Sequence, residues 1–124
     1  MIEAISLRPK NWVALNDLAW LYREAGNPEA LNVAEQALAL NPDSAVVLDT
    51  LGWILLGQNK FRRAQEVLAK AVKSDPKNAD IRYHWAVSLQ KLGKTQQANE
   101  QLNIALEGER LIYREEALEF RESL

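Results

Sequence analysis

Hydrophobic residues recur along the middle of the chain at the three- and four-residue spacing that marks one face of an α-helix. One run of this kind contains Leu48, Leu51, Gly52 and Leu55. The next run contains Phe61, Ala64, Leu68 and Ala71. Small residues on these faces let two helix backbones approach closely, and Gly52 is predicted to lie at such a crossing. A single pair of short helices cannot bury both apolar faces, so the pattern predicts further pairs beside it.

The same arrangement recurs with a period of 33 or 34 residues. Prolines, turn residues and alanines keep this period in three series: Pro9, Pro42 and Pro76; Gly26, Asn59 and Gly93; Ala30, Ala64 and Ala98. The alanines of a fourth series extend it towards both ends, at Ala4, Ala37, Ala71 and Ala105. Repetition at this period predicts a stack of helix-turn-helix units.

The periodicity and the turn signals together predict seven helices and no β-strand. The helices are expected near residues 11–24, 28–40, 44–57, 61–73, 78–92, 95–106 and 113–123. N-caps are expected at Asn11, at Asp43 or Ser44, and at Thr95. Gly26, Asn59 and Gly93 are expected in left-handed turns, for which asparagine is the best-suited residue other than glycine.

These residues resemble the tetratricopeptide repeat pattern, W-x-x-L-G-x-x-Y, a glycine turn, A-x-x-x-F, a later alanine and a closing proline. The resemblance implies an all-α domain over residues 1–124, a right-handed superhelical solenoid of about three repeats with a C-terminal capping helix. Its parts are expected at residues 1–9 (the tail of a preceding repeat), 10–42, 43–76, 77–110 and 111–124 (the capping helix). Arg82 and Arg110 depart from the pattern, in place of a large apolar residue and of the third closing proline.

A closer resemblance concerns three runs, LNDLAWLYREAGNPEAL, LDTLGWILLGQ and IRYHWAVSLQKLGK. They are similar to the C-terminal repeats of tetratricopeptide proteins that accompany bacterial exosortase/PEP-CTERM exopolysaccharide systems. The closer resemblance implies that the chain is a fragment of a larger bacterial scaffold in the periplasm or cell envelope. Without that resemblance, a cytoplasmic location is expected. The partial repeat at residues 1–9 predicts that the chain was excised from a longer array.

Composition narrows the function further. With 15 basic and 17 acidic residues the net charge is −2, and no basic stripe stands out, so nucleic acid is not an expected partner. The chain has no cysteine and no apolar run near the roughly 20 residues that span a bilayer. His84 is the sole histidine, and neither a metal set nor a catalytic constellation accompanies it. The sequence therefore predicts no enzyme, no metal site and no cofactor.

In the tetratricopeptide fold the first helix of each repeat lines a concave groove. Carried over by register, the predicted peptide-binding residues are Asn16, Trp20, Arg23, Asp49, Trp53, Leu56, Tyr83, His84 and Val87. Gln90 belongs to the same rows, and Asp17 and Thr50 flank them. Trp20 and Trp53 occupy equivalent registers. The sequence leaves open whether they anchor a ligand in the groove or belong to the hydrophobic core. A clamp for an acidic chaperone tail is not expected, because Asn16 and Trp20 occupy its lysine and asparagine positions.

The function expected from these observations is a non-catalytic protein-interaction module that binds an extended peptide or a helix. The alternative is a structural repeat segment that self-associates through its ends without a groove ligand. Under either hypothesis, the truncated N-terminal edge at residues 1–9 could support a weak homodimer.

Overall fold

The architecture is all helical in a computed structural model that describes residues 11–108, 112 and 114–124. Within those residues there are seven helices and no β-strand. The helices are α1 Trp12–Glu24, α2 Ala30–Leu40, α3 Ala45–Gly57, α4 Phe61–Ser74, α5 Ala79–Lys91, α6 Thr95–Glu107 and α7 Arg114–Ser123. Every predicted boundary is confirmed to within two residues. The expected tail at residues 1–9 lies outside the described residues, as does Arg110.

The three first helices, α1, α3 and α5, begin in the same way. The side chains of Asn11, Ser44 and Asn78 accept hydrogen bonds from the backbone three residues on, at 3.1, 3.3 and 3.2 Å. Each bond satisfies an N–H group that the helix itself leaves without a partner. The expected cap at Thr95 is wrong, because α6 begins there with Lys94 as its N-cap. A residue that already has helical dihedrals cannot cap its own helix.

The same three helices also end alike. Gly26, Asn59 and Gly93 have φ angles of 72°, 61° and 78°, which confirms the left-handed turns. In each turn the next N–H donates back to the helix, for example from Lys60 to the carbonyl of Leu55 at 2.9 Å. This is the hydrogen bond of a Schellman ending.

The helices pack as successive antiparallel pairs. Each first helix contacts its own second helix most extensively, and each second helix contacts the next first helix. In addition, α3 contacts both α1 and α5, so the three first helices form one row. Gly52 lies at the crossing of α3 and α4: a Cβ atom there would lie 2.4 Å from Cγ of Leu68. The predicted close crossing is therefore confirmed.

Arg82 occupies the register where α1 and α3 carry the buried leucines Leu15 and Leu48. Its Nε donates to the carbonyl of Pro76 at 2.9 Å, and its guanidinium also donates to Oε1 of Gln101 at 2.5 Å. The departure from the repeat pattern is thus accommodated, because the charged group reaches one acceptor in the turn before α5 and another on α6.

The last helix, α7, covers the end of the third repeat. Ala117 is fully buried there, in one hydrophobic cluster with Leu102 and Ala105 of α6. Arg114 donates to the carbonyls of Leu106 and Gly108, which closes the end of α6. The apolar end of the repeat stack is consequently shielded by an end piece, as solenoids require.

Candidate functional site

The row formed by α1, α3 and α5 aligns equivalent positions of the three repeats on one surface, which we call the groove. From the helix N-termini to the C-termini its aligned sets are Val13, Val46 and Asp80; Asn16, Asp49 and Tyr83; Trp20, Trp53 and Val87; Arg23, Leu56 and Gln90. Within each helix these positions are three or four residues apart, so they lie on one face.

An interleaved set of rings and charges crosses the middle of the groove. The guanidinium carbon of Arg23 lies 5.6 Å from the ring centroid of Trp20 and 4.9 Å from that of Trp53. Trp53 also stacks on His84, with ring centroids 4.1 Å apart and an interplanar angle of 27°. Since α1 supplies Arg23 and α5 supplies His84, Trp53 is held by contacts from both neighbouring helices. We call Trp20, Arg23, Trp53 and His84 the aromatic stack.

His84 is the anchor of this stack on the third repeat. Only 2% of the residue is exposed, and its Nδ1–H donates to Oδ1 of Asp49 at 2.6 Å. The hydrogen bond ties α5 to α3 and orients the imidazole against Trp53. The pair therefore links repeats two and three beside the groove.

Solvent reaches the predicted groove residues unequally. Asn16, Thr50, Leu56, Tyr83 and His84 are buried. Partly exposed are Trp20, Arg23, Asp49, Trp53, Val87 and Gln90, whereas Asp17 is exposed. Tyr83 is covered because Phe120 of α7 meets its ring edge-on at a centroid distance of 6.3 Å. The accessible part of the groove therefore lies mainly on repeats one and two.

Two exposed valines that were not among the predicted groove residues, Val13 and Val46, lie at the N-terminal end of this accessible part. Val13 and Val46 are 51% and 54% exposed and occupy the same register of α1 and α3. Each precedes a predicted groove residue, Asn16 or Asp49, by three positions. The signal was present in the sequence, because equivalent valines 33 residues apart fall outside the buried stripe of both helices.

At the other end, the groove runs into a partly open cavity of about 390 Å³ between the first two repeats. It is lined by Arg23, Gly26, Asn27, Pro28, Ala30, Ile54, Gly57 and Gln58. Gly26 and Gly57 contribute no side chains to its walls. A cavity of about 390 Å³ is large enough for one side chain of a bound segment.

The described ranges offer little for other chemistry. Among them no group of three or more His, Cys, Asp or Glu residues is arranged to hold a metal ion. None of the described helices combines the length and the apolar character needed to cross a bilayer. What the site presents is a strip of aromatic, aliphatic and hydrogen-bonding groups suited to another polypeptide.

Comparison with known proteins agrees with this geometry. Residues 23–104 match the family described as anaphase-promoting complex, cyclosome, subunit 3, and residues 2–30 match the tetratricopeptide repeat family. A TPR repeat-containing protein of Pseudomonas aeruginosa is 35% identical over 74 residues, which are 58% of this chain and 12% of that protein. A small glutamine-rich tetratricopeptide repeat-containing protein of Mycosarcoma maydis is 26% identical over 98 residues, 78% of this chain. The chain spans only 28% of the length of the latter relative.

Solved structures share the fold at low sequence identity. MamA superposes with a TM-score of 0.80 at 20% identity, over 97% of this chain and 80% of MamA. The second TPR of Spaghetti (RPAP3), bound to an HSP90 peptide, gives 0.77 at 15% identity over 83% and 96% of the two chains. YrrB, described as a TPR protein with an unusual peptide-binding site, gives 0.77 at 22% identity over 87% and 56%.

Proposed function

The chain belongs to the tetratricopeptide repeat family and is a protein-interaction module, and we propose that it binds an extended peptide or a helix of a partner protein in the groove of α1, α3 and α5. The binding would involve no catalysis. Trp20, Arg23 and Trp53 would form the centre of the site, with Asn16, Asp49 and Val87 around them.

The observation that carries this proposal is the pair of partly exposed tryptophans at equivalent registers. An indole is a large apolar group with one hydrogen-bond donor, and such groups dominate the binding energy of many interfaces. Trp20 and Trp53 are joined through Arg23, so they form a continuous surface across two repeats. Two solved structures of the same fold are described as bound to a peptide or as having a peptide-binding site, which supports peptide binding as the function proposed here.

Selection of peptides from a displayed library, followed by titration into the protein, tests the proposal. A selected peptide should shift the tryptophan fluorescence and bind with a measurable Kd. The double variant Trp20→Ala, Trp53→Ala should lose this binding, because anchor residues commonly contribute about 2 kcal/mol or more each. Leu21→Ala is the matched control, since Leu21 is exposed on α1 outside the groove registers.

Circular dichroism of the same variants separates binding from folding. Trp53 packs against the main hydrophobic cluster and stacks on His84, so Trp53→Ala should lower the melting temperature more than Trp20→Ala does. A double variant that keeps its helicity and still binds the selected peptide with unchanged affinity would exclude the groove as the binding site.

Self-association through the ends of the stack is the second candidate. Ile112 and Leu118, next to and within α7, are 79% and 38% exposed, and such residues could meet another copy. Sedimentation over a range of concentrations should then show a dimer that Ile112→Ser with Leu118→Ser abolishes. A dimer that survives this change and disappears on removal of residues 1–9 would indicate the N-terminal edge instead.

For the whole protein we propose a scaffold of bacterial envelope or exopolysaccharide machinery. The support is the resemblance of the three sequence runs to repeats from exosortase/PEP-CTERM systems. The curated relatives are several times longer than this chain, so the rest of that scaffold would lie in additional repeats or domains. Protease protection of the native protein in intact and permeabilised cells tests the location. A protein that stays protected after the outer membrane is permeabilised, and is degraded only when the cytoplasmic membrane is lysed, would contradict it.

A further inference from the structure

The N-terminal end of the groove is rich in hydrogen-bond acceptors. Asp17 is exposed and forms no ion pair with any described residue. Asp49 offers a partly exposed carboxylate, of which Oδ1 accepts the hydrogen bond of His84. The nearest cationic group on α1 is Arg23, which lies six positions beyond Asp17, against the two tryptophans and Glu24. This end of the groove is therefore locally acidic.

Asn16 adds an independent observation. The residue is only 8% exposed, and its Oδ1 has no hydrogen-bond partner among the described residues. Buried polar atoms are nearly always paired, so this oxygen is a ready acceptor for a further hydrogen bond. Asn16 lies three positions after the exposed Val13, so the two residues share one face of α1. A donor brought by a partner would supply the missing hydrogen bond.

Val13 and Val46 form an aliphatic row next to these acceptors. A single exposed valine is ordinary on a protein surface, whereas two at equivalent registers form a repeated platform. Packed helices lie about 8–10 Å apart, so the two valines are separated by roughly the distance that two or three extended residues cover. The acceptor row, with Asn16, Asp17 and Asp49, lies one helical turn further along the same helices.

We propose that this end of the groove binds a partner segment in which cationic and aliphatic residues alternate. The inference rests on the proposed function and specifies its ligand. An extended segment that crosses α1 and α3 between the two rows turns alternate side chains to opposite sides. Aliphatic side chains then meet Val13 and Val46, and Lys or Arg side chains meet Asp17 and Asp49. An acidic segment would bring carboxylates against carboxylates and is disfavoured.

Three labelled synthetic octapeptides test the charge and the apolar requirement: alternating Lys-Leu, alternating Glu-Leu and alternating Lys-Ser. Fluorescence anisotropy at physiological salt should show that the Lys-Leu peptide binds at least about tenfold more tightly than either of the others. Raising the salt should weaken the binding, because the ion pairs are exposed. Equal affinity for Lys-Leu and Glu-Leu peptides would overturn the proposal.

Variants locate the binding. Val13→Ser with Val46→Ser should weaken the Lys-Leu peptide about tenfold, and Asp17→Asn should weaken it roughly two- to fivefold, since an exposed ion pair contributes little. Val13 and Val46 are more than half exposed and Asp17 is also exposed, so these substitutions should leave the helicity unchanged. Glu66→Gln and Leu21→Ser are matched controls that remove an exposed carboxylate and an exposed apolar side chain elsewhere. Binding that is insensitive to the groove variants, or equally sensitive to the controls, would also overturn the proposal.

The outcome distinguishes this inference from the function on which it depends. If library selection yields neutral or acidic peptides whose binding requires Trp20 and Trp53, the proposed function stands and the cationic-aliphatic ligand is refuted. If no selected peptide depends on the two tryptophans, the groove function itself fails and this inference with it.

Discussion

Two glycines of α3, five positions apart, lie in opposite surroundings. A Cβ atom at Gly52 would lie 2.4 and 2.6 Å from two carbons of the Leu68 side chain, whereas at Gly57 it would meet nothing within 4 Å. We expect Gly52→Ala to lower the free energy of unfolding by about 1–3 kcal/mol through overpacking. Gly57→Ala should raise it by about 0.5–1 kcal/mol, because alanine favours the helical backbone. Urea denaturation of the pair measures both; equal stabilities would contradict the crossing at Gly52.

Asn59 is a residue whose backbone conformation matters more than its side chain. It has a φ of 61° in the turn between α3 and α4, where Gly26 and Gly93 hold the equivalent positions. Asn59→Ala should cost roughly 1–2 kcal/mol, since an ordinary side chain is strained in the left-handed region. Asn59→Gly should leave the melting temperature unchanged or slightly higher. A melting temperature that is lower for the glycine variant than for the alanine variant would contradict this account.

Among the helices, α7 has the clearest single role. It covers a cluster that contains Leu102 and Ala105, and it contributes Ala117 and Phe120 to the contact. Removal of residues 111–124 should expose these apolar groups, lower the melting temperature and promote association. Thermal denaturation and light scattering of the truncated protein measure the effect. A truncated chain as stable and as monomeric as the full one would show that α7 is not a cap and is available for a partner.

For the whole molecule, stability should decrease from the middle of the stack towards its C-terminal end. In α3 eight residues are buried, including Leu48, Leu51 and Leu55, because the helix has repeat neighbours on both sides. In α7 the single buried residue is Ala117. Amide hydrogen exchange should therefore be slowest in α3 and fastest in α7. Uniform protection from α3 to α7 would indicate a single cooperative unit instead of a stack of coupled repeats.

Sequence patterns alone were enough to predict the helices, the turns and the close crossing of α3 and α4, the two helices of the second repeat. These features depend on local interactions: the 3.6-residue period sets a helical face, and caps such as Ser44 act within one turn. A left-handed turn at Asn59 is likewise a local property. The prediction of Thr95 as an N-cap was wrong, because a shift of one residue at the start of a helix changes which side chain can cap it.

Which groove residues are accessible to solvent depends on tertiary packing and could not be predicted from the sequence. Tyr83 and Leu56 share their registers with accessible residues, yet they are buried because neighbours from other repeats or from α7 cover them. Trp53 lies between Arg23 and His84, which are 30 and 31 positions away along the chain. A local sequence pattern cannot predict contacts at that separation. Register sets the direction in which a side chain points, whereas its exposure depends on how closely the next helix packs against it.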